Sequence, residues 1–200
     1  TLKNGDGEHA EVTLGICGQH NVMNALAAAS VAMRLGMSID EVASALSDVT
    51  AISPHRMAVS TVNKQETSFP LLDVSFNPNP DSMKAGLDGL LRWKAGSESQ
   101  PFRIAVLGAM LELGPDEKDL HVGIGRYALE GGVDALLTVG SASDASLDAL
   151  AGAMADGASL AGDASHVDWV HDIDEADRLV TRLAVEHPGA VVLLKGSHAS

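Results

Sequence analysis

The sequence predicts a doubly wound α/β fold from about residue 55 to the C-terminus, with a mostly parallel sheet covered by helices. Three observations support this fold class: continuous apolar runs of about five residues fit buried strands, helical patterns of about 10 to 15 residues separate them, and small or polar residues follow each run. Apolar strands that alternate with helices are typical of parallel βαβ units. Such a sheet is Rossmann-like, and a hairpin and two helices are predicted to precede it.

The first 53 residues are predicted to form the end of a separate domain. A glycine-rich stretch after position 3 indicates a hairpin turn. Gly36 is expected to end a first helix, and Ser38 with Glu41 forms a capping box for a second helix. A boundary is expected at 52–55, so the predicted domains are 1–53 and 54–200. The predicted elements of this first domain are strands 2–3 and 11–14 and helices 20–36 and 39–46.

The second domain is predicted to begin with two strands joined by a polar turn, and each later strand is followed by a helix. The predicted strands are 57–62, 69–73, 103–108, 135–140, 166–170 and 190–194. The predicted helices are 80–94, one that starts at 114, 144–154 and 173–186.

A polar loop between a strand and a helix N-terminus is the first candidate ligand site. Asn79 is the expected N-cap, Pro80 suits the first helical position, and Asp81 adds a negative charge at the positive end of the helix. Two amide side chains, Asn77 and Asn79, at a helix N-terminus suit a polar or anionic ligand. The alternative is an ordinary capped loop with solvated Asn residues.

The carboxyl ends of the predicted strands carry small and polar residues, which a ligand-facing edge of such a sheet requires. The alternative is that strand-to-helix loops need small residues whatever the function. The strand ends are 73–75, 108–110, 140–141 and 195–197.

Composition excludes several classes of protein. A net charge of −14 argues against binding to nucleic acid or to an anionic membrane surface. The single cysteine, Cys17, excludes an internal disulfide and fits a reducing compartment. The chain begins at Thr1 without a signal-like segment, so we expect a fragment of a longer protein.

Several common catalytic motifs are absent from these 200 residues. The sequence has no G-x-x-x-x-G-K-[ST] phosphate loop, no G-x-G-x-x-G after a strand, no G-x-S-x-G, and no metal-type spacing among its eight histidines. We therefore expect no metal site within the chain. Asn21 and Asn24 share a helix face and suit either a base or phosphate contact or simple capping. Arg56 follows the predicted boundary, where a cation can reach across a cleft or remain solvated.

Several separate stretches together resemble the Mur ligase family, from Leu14 to the end of the chain and in the family's order. Residues 18–28 resemble the last helix region of its ATP-binding central domain, and Pro54-His55-Arg56-Met57 resembles the hinge before its C-terminal domain. Three further stretches, 73–83, 106–114 and 194–197, are most similar to the members that add D-alanyl-D-alanine. The stretches 77–80 and 111–114 argue against a folylpolyglutamate synthase-like ligase.

This resemblance implies an ATP-dependent ligase of peptidoglycan synthesis, cytoplasmic and monomeric. ATP would phosphorylate UDP-N-acetylmuramoyl-tripeptide, and D-alanyl-D-alanine would attack the resulting acyl phosphate, with Mg²⁺ neutralising the transferred group. The phosphate loop, the Mg²⁺ ligands and the UDP-binding domain would lie before Thr1, so the fragment alone is expected to be inactive.

The resemblance also implies roles for individual residues. Asn21, Asn24 and Asp73 would bind ATP, and Arg56 would be catalytic by reaching the ATP phosphates after domain closure. The dipeptide would be bound by residues of two loops, namely Asn77, Asn79, Lys195, Gly196 and Ser197.

Four positions depart from the family pattern: Val74 and Ala109 each replace an Asp, Pro78 an Ala, and His198 an Arg. The side chain of Val74 has no atom that accepts a hydrogen bond, so it cannot make the nucleotide contact that the family's Asp makes. Asp73 is adjacent, but neighbouring strand residues point to opposite faces. A non-catalytic, ligand-binding member of the family is therefore the alternative to an active ligase.

Overall fold

The chain folds into two compact units in the computed structural model, Thr1–Pro54 and His55–Ser200. The structure describes residues 1–15, 19–49, 58–64, 66–75, 77–94, 100–162 and 166–196. Within those ranges, no helix combines the length and the apolar character that a membrane crossing needs.

The first unit begins with an antiparallel hairpin of β1 (Leu2–Lys3) and β2 (His9–Ala10). The prediction of a strand at 11–14 is wrong, because the partner strand follows directly after the turn. The side-chain oxygen of Asn4 accepts a hydrogen bond from the backbone N–H of Glu8 at 3.0 Å. This side-chain bond closes the turn and fixes the register of the hairpin.

Two helices complete the first unit, α1 (Gln19–Arg34) and α2 (Ile39–Asp48). The predicted capping box of α2 is confirmed, since Ser38 Oγ accepts the Glu41 N–H at 3.3 Å and the Glu41 carboxylate accepts the Ser38 N–H at 2.8 Å. Ala29 anchors α1 in the core of this unit. Other apolar side chains of α1 and of the turn after it stay exposed, namely Val22, Met23, Leu26, Val31 and Leu35.

The second unit is built on a six-stranded sheet with the order β3-β4-β8-β5-β6-β7. Among the described strands of this sheet, β3 and β4 pair antiparallel and the other four pairs are parallel, so the predicted fold class is confirmed. The strands are β3 (Ala58–Asn63), β4 (Ser68–Asp73), β5 (Arg103–Gly108), β6 (Ala135–Val139), β7 (Val167–Val170) and β8 (Val191–Lys195). The helices are α3 (Pro80–Arg92), α4 (Glu117–Gly131), α5 (Ala145–Ser159) and α6 (Ile173–Glu186).

Helices lie on both faces of this sheet. Helices α3, α4 and α5 pack on one face, where Leu87 of α3 joins Leu193 of β8 in the same apolar cluster. Helix α6 packs on the other face, where Val180 meets Val192, the preceding residue of β8. Because consecutive strand residues alternate between faces, each continuous apolar strand supplies both cores.

Helices α4 and α5 approach each other so closely that each needs a glycine at the contact. A Cβ at Gly125 would overlap the backbone carbonyl of Met154, and a Cβ at Gly157 would overlap that of Val122. Both glycines are buried in regular helix. The loss of helix propensity at these positions is therefore the cost of bringing two backbones together.

Candidate functional site

Four strands end side by side along one edge of the sheet. Strands β4, β8, β5 and β6 are consecutive and parallel, so their carboxyl ends lie together, as the sequence predicted. We call this edge the rim. It carries Val74 and Ser75 after β4, Lys195 and Gly196 at the end of β8, Ala109 and Met110 after β5, and Gly140 and Ser141 after β6.

Lys195 is a buried cation at the rim. Its side chain is 1% exposed, and a Cβ added at Gly86 of α3 would lie 3.2 Å from its Cδ, so it runs on the face covered by α3. Its Nζ donates a hydrogen bond to the Val74 carbonyl oxygen at 3.1 Å. Lys195 therefore ties the end of β8 to the loop after β4.

Burial lowers the pKa of Lys195 to about 8, because a low-dielectric surrounding disfavours the charged form. No carboxylate of the described residues offsets this cost by raising the pKa again. At pH 7 the side chain is still mostly an ammonium, by about ten to one. An ammonium with one backbone acceptor and two more N–H groups is suited to hold an anionic ligand group.

Asp73 lies on the other face of the sheet from Lys195. It pairs with Leu194, and the alternation of side chains turns it toward the α6 face. Its Oδ1 accepts hydrogen bonds from the N–H of Ser75 at 3.0 Å and from its hydroxyl at 2.5 Å. The carboxylate thus shapes the loop after β4, and the structure does not bring it together with Lys195.

The loop before α3 uses one of its two asparagines as a cap. Asn79 Oδ1 accepts the N–H of Ser82 at 2.9 Å, which confirms the predicted N-cap. Asn77 is exposed and adopts a positive φ of 38°, a conformation that Asn tolerates better than most residues. Asn77 therefore presents its amide to solvent, whereas Asn79 stabilises the helix.

Asn21 and Asn24 lie inside α1, in the first unit. Asn24 Nδ2 donates to Asn21 Oδ1 at 3.3 Å, and Asn21 is buried while Asn24 is exposed. Because α1 begins at Gln19, neither residue is its N-cap. Arg56 and Ser197 lie outside the described residues.

A cavity of about 450 Å³ lies on the α6 face of the sheet. Its walls are mostly aliphatic and aromatic, and it extends to Ser75, Gly108 and Gly196. Its other lining residues include Phe69, Leu71, Val106, Val180, Val192 and Leu194.

His121 was not singled out by its sequence pattern, although the structure places it in contact with the rim. Its side chain is fully buried on α4 and bonds to the backbone of Met110. The available signal was its position, three residues before Ile124 and seven before Ala128, on the apolar face of the helix. A histidine in such a stripe must find partners for both ring nitrogens.

Val74 and Lys195 are cross-strand neighbours, which leads to a first prediction. Since Asp73 is opposite Leu194, the next pair is Val74 and Lys195, on one face. Val74→Asp is expected to raise the pKa of Lys195 from about 8 toward 10.5, because a carboxylate favours the adjacent ammonium. NMR titration of the lysine side chain measures this pKa.

The control is Val74→Asn, which has nearly the same shape and no charge, and which should leave the pKa of Lys195 low. A Lys195 pKa that stays near 8 in the Val74→Asp chain would show that these two side chains do not face each other.

Comparison with known proteins agrees with this architecture. Residues 55–198 match the family model of the Mur ligase glutamate ligase domain. This match covers more than half of the chain, and the chain belongs to the Mur ligase family.

Among curated proteins, the chain is similar to UDP-N-acetylmuramoyl-tripeptide–D-alanyl-D-alanine ligase from Mycobacterium tuberculosis, with 40% identity over 195 residues. The alignment covers 96% of this chain but only 38% of that ligase. The chain therefore spans little more than a third of the length of this relative.

Solved structures of Mur ligases also superpose on this chain. MurF from Acinetobacter baumannii superposes with a TM-score of 0.72 at 26% identity, over 94% of this chain and 36% of that one. MurF from Thermotoga maritima, solved in complex with ADP, superposes with a TM-score of 0.60 at 23% identity, over 90% of this chain and 35% of that one. At 23% identity, the similarity to the second structure shows a shared fold and no more.

Proposed function

We propose that this chain is the C-terminal part of an ATP-dependent ligase that adds D-alanyl-D-alanine to UDP-N-acetylmuramoyl-tripeptide in peptidoglycan synthesis. The observation that carries the proposal is the 40% identity to a ligase of that activity along almost the whole chain. The rim supports it, since a buried ammonium at the strand ends suits a substrate with a free carboxylate.

The two units correspond, in this proposal, to two domains of the ligase: residues 1–53 to the end of the central ATP-binding domain and residues 54–200 to the C-terminal domain. The division of the fold between Pro54 and His55 supports the assignment, as does the family match from residue 55. The exposed apolar side chains along α1 also support it, because an isolated soluble domain rarely leaves so many uncovered.

ATP is assigned to Asn21, Asn24, Arg56 and Asp73. The exposed amide of Asn24, oriented by Asn21, has the donor and acceptor groups that an adenine edge needs. The ADP complex of Thermotoga maritima MurF supports a nucleotide as ligand of this fold. No three carboxylate, His or Cys side chains within the described ranges come together to hold Mg²⁺, so none of these residues is assigned to the ion.

The proposed reaction has two steps. The γ-phosphoryl group of ATP passes to the terminal carboxylate of the tripeptide, giving ADP and an acyl phosphate. The dipeptide amine then attacks the acyl carbon, phosphate leaves, and the nitrogen loses a proton to form the amide. We assign Lys195 to the dipeptide carboxylate, with Asn77, Asn79, Gly196 and Ser197 around it, and Arg56 to the charge on the transferred phosphoryl group.

A second candidate is a non-catalytic member of the family that binds a ligand at the rim. Val74 favours it, because the loop after β4 then lacks a second carboxylate and Lys195 has no anionic partner among the described residues. Both candidate functions require the same fold, but a ligase would convert its substrates to product and a non-catalytic member would only bind a ligand.

The experiment that separates them is phosphate release by the longer polypeptide that contains this chain, with ATP, Mg²⁺ and UDP-N-acetylmuramoyl-tripeptide. Release that depends on added D-alanyl-D-alanine is expected. The 200-residue chain alone, which contains no phosphate-loop motif, is expected to give none. Nucleotide or dipeptide binding without release would favour the non-catalytic candidate instead.

The matched variants for this assay are Arg56→Ala and Arg126→Ala. Arg126 is an exposed residue of α4, so its loss should leave the rate unchanged, whereas loss of Arg56 should lower kcat by about 100-fold or more. Equal rates for both variants would remove Arg56 from the proposed catalytic group.

A further inference from the structure

A buried histidine joins helix α4 to the rim. The backbone N–H of Met110 donates to Nε2 of His121 at 2.9 Å, and Nδ1 of the same ring lies 2.6 Å from the carbonyl oxygen of Glu117. The first bond requires an Nε2 without a proton, and the second requires a proton on Nδ1. The ring is therefore neutral, in the Nδ1–H tautomer.

The partner of this ring belongs to the segment that leaves the rim after β5. Ala109 and Met110 are fully buried, and the segment then turns through Glu112 and Gly114, which both have positive φ angles of 60° and 78°. Strand β5 pairs Leu107 with Lys195, and Met110 comes three residues after Leu107, just beyond the end of β5. The backbone of this segment has to turn sharply next to the proposed dipeptide site.

We propose that His121 is a positioning residue that holds the segment 109–112 in place through the Met110 N–H, and so sets the shape of the rim beside Lys195. The hydrogen bond itself is independent of the reaction, whereas the consequence for dipeptide binding rests on the proposed function. A protonated ring would present two donors and no acceptor, and the Met110 N–H would lose its partner.

The surroundings favour the neutral ring. Burial lowers the pKa of His121, and the Glu117 carbonyl and carboxylate oppose this effect only in part. Among the described residues, Glu117 is the charged group that acts on the ring. Ala109 and Met110, which follow β5 and lie against the ring, carry no charge. The neutral ring therefore persists below the ordinary pKa of histidine.

Two substitutions separate positioning from simple core packing, because each keeps one of the two hydrogen bonds. His121→Gln places an amide oxygen near the position of Nε2 and can accept from Met110. His121→Asn places its amide near the position of Nδ1 and can donate only to the Glu117 carbonyl. Both variants lose the ring, so a packing effect alone would act on them similarly.

The first measurement is amide hydrogen exchange of the 200-residue chain by NMR. His121→Asn is expected to speed exchange at Met110 by about tenfold or more relative to the β5 amides, and His121→Gln to keep it within a few-fold of the wild type. Equal protection of Met110 in both variants would overturn the proposal. So would ¹⁵N spectra of the wild-type ring that show a proton on Nε2, a result that needs no variant to fold.

The second measurement uses the longer ligase. His121→Asn is expected to raise the KM for D-alanyl-D-alanine by about tenfold with a smaller change in the KM for ATP, and His121→Gln to restore it. An unchanged dipeptide KM in an active His121→Asn enzyme would overturn the role at the rim. An inactive wild-type enzyme with the predicted exchange pattern would instead contradict the proposed function and leave the hydrogen bond established.

Discussion

Gly125→Ala is expected to lower the free energy of unfolding of the second unit by about 3 kcal/mol. The added methyl group would overlap the Met154 carbonyl, and a helix backbone cannot yield as a flexible side chain can. Helices α4 and α5 would have to separate, which would loosen the apolar cluster that contains Ile124 and Ala158. Urea unfolding of the 200-residue chain, followed by circular dichroism, measures this change.

The same helix provides the control. Gly123 is exposed and has no neighbouring atom within 4 Å of an added Cβ. Gly123→Ala should therefore raise the free energy of unfolding by about 0.5 to 1 kcal/mol, because alanine has the higher helix propensity. Gly157→Ala, on the other side of the contact, should resemble Gly125→Ala. Equal effects at Gly123 and Gly125 would show that the two helices do not meet as described.

Lys195→Met is expected to stabilise the fold and to inactivate the proposed ligase. The pKa of Lys195 is depressed from 10.5 to about 8, which corresponds to about 3 kcal/mol of destabilisation at pH 7. Methionine fills a similar volume without the charge, although it loses the bond to the Val74 carbonyl. We expect a net gain of about 2 kcal/mol in the free energy of unfolding, and a loss of about 100-fold or more in the dipeptide-dependent rate of the longer enzyme.

The pH dependence of stability identifies the origin of this gain. Between about pH 8 and pH 10.5, the unfolded lysine still holds a proton that the folded one has lost, so wild-type stability should rise with pH in this window relative to the variant. Lys195→Met should show no such rise, and Lys118→Met, at an exposed position of α4, should behave like the wild type. A wild-type stability curve parallel to that of Lys195→Met would contradict a buried ammonium that has no carboxylate partner among the described residues.

Much of the fold follows from local sequence patterns. The bounds of β5 and α6 agree with the prediction, because a continuous apolar run and a strong helical period leave little choice. Helix α5 was predicted to end at 154 but continues to Ser159. The local sequence around Gly157 favours a helix end, whereas in the fold this glycine allows α5 to pack closely on α4. Tertiary packing overrides propensity at this position.

The candidate site could be predicted less completely. The strand ends were expected to share one edge, but the insertion of β8 between β4 and β5 cannot be derived from a sequence period. It is this order that makes Lys195 a neighbour of Val74. The sequence placed Lys195 at a strand end but gave no sign that its side chain would be buried. His121 was missed because its role depends on a backbone N–H, which carries no signature in the sequence.

The most direct test of the central proposal is the identity of the product formed by the longer polypeptide from ATP, Mg²⁺ and UDP-N-acetylmuramoyl-tripeptide. Mass spectrometry would compare D-alanyl-D-alanine with L-glutamate as acceptor. The proposal predicts a single new amide, the tripeptide extended by D-alanyl-D-alanine, with one ADP formed per product and no glutamate adduct. A glutamate adduct, or no adduct from a folded enzyme that binds both substrates, would contradict it.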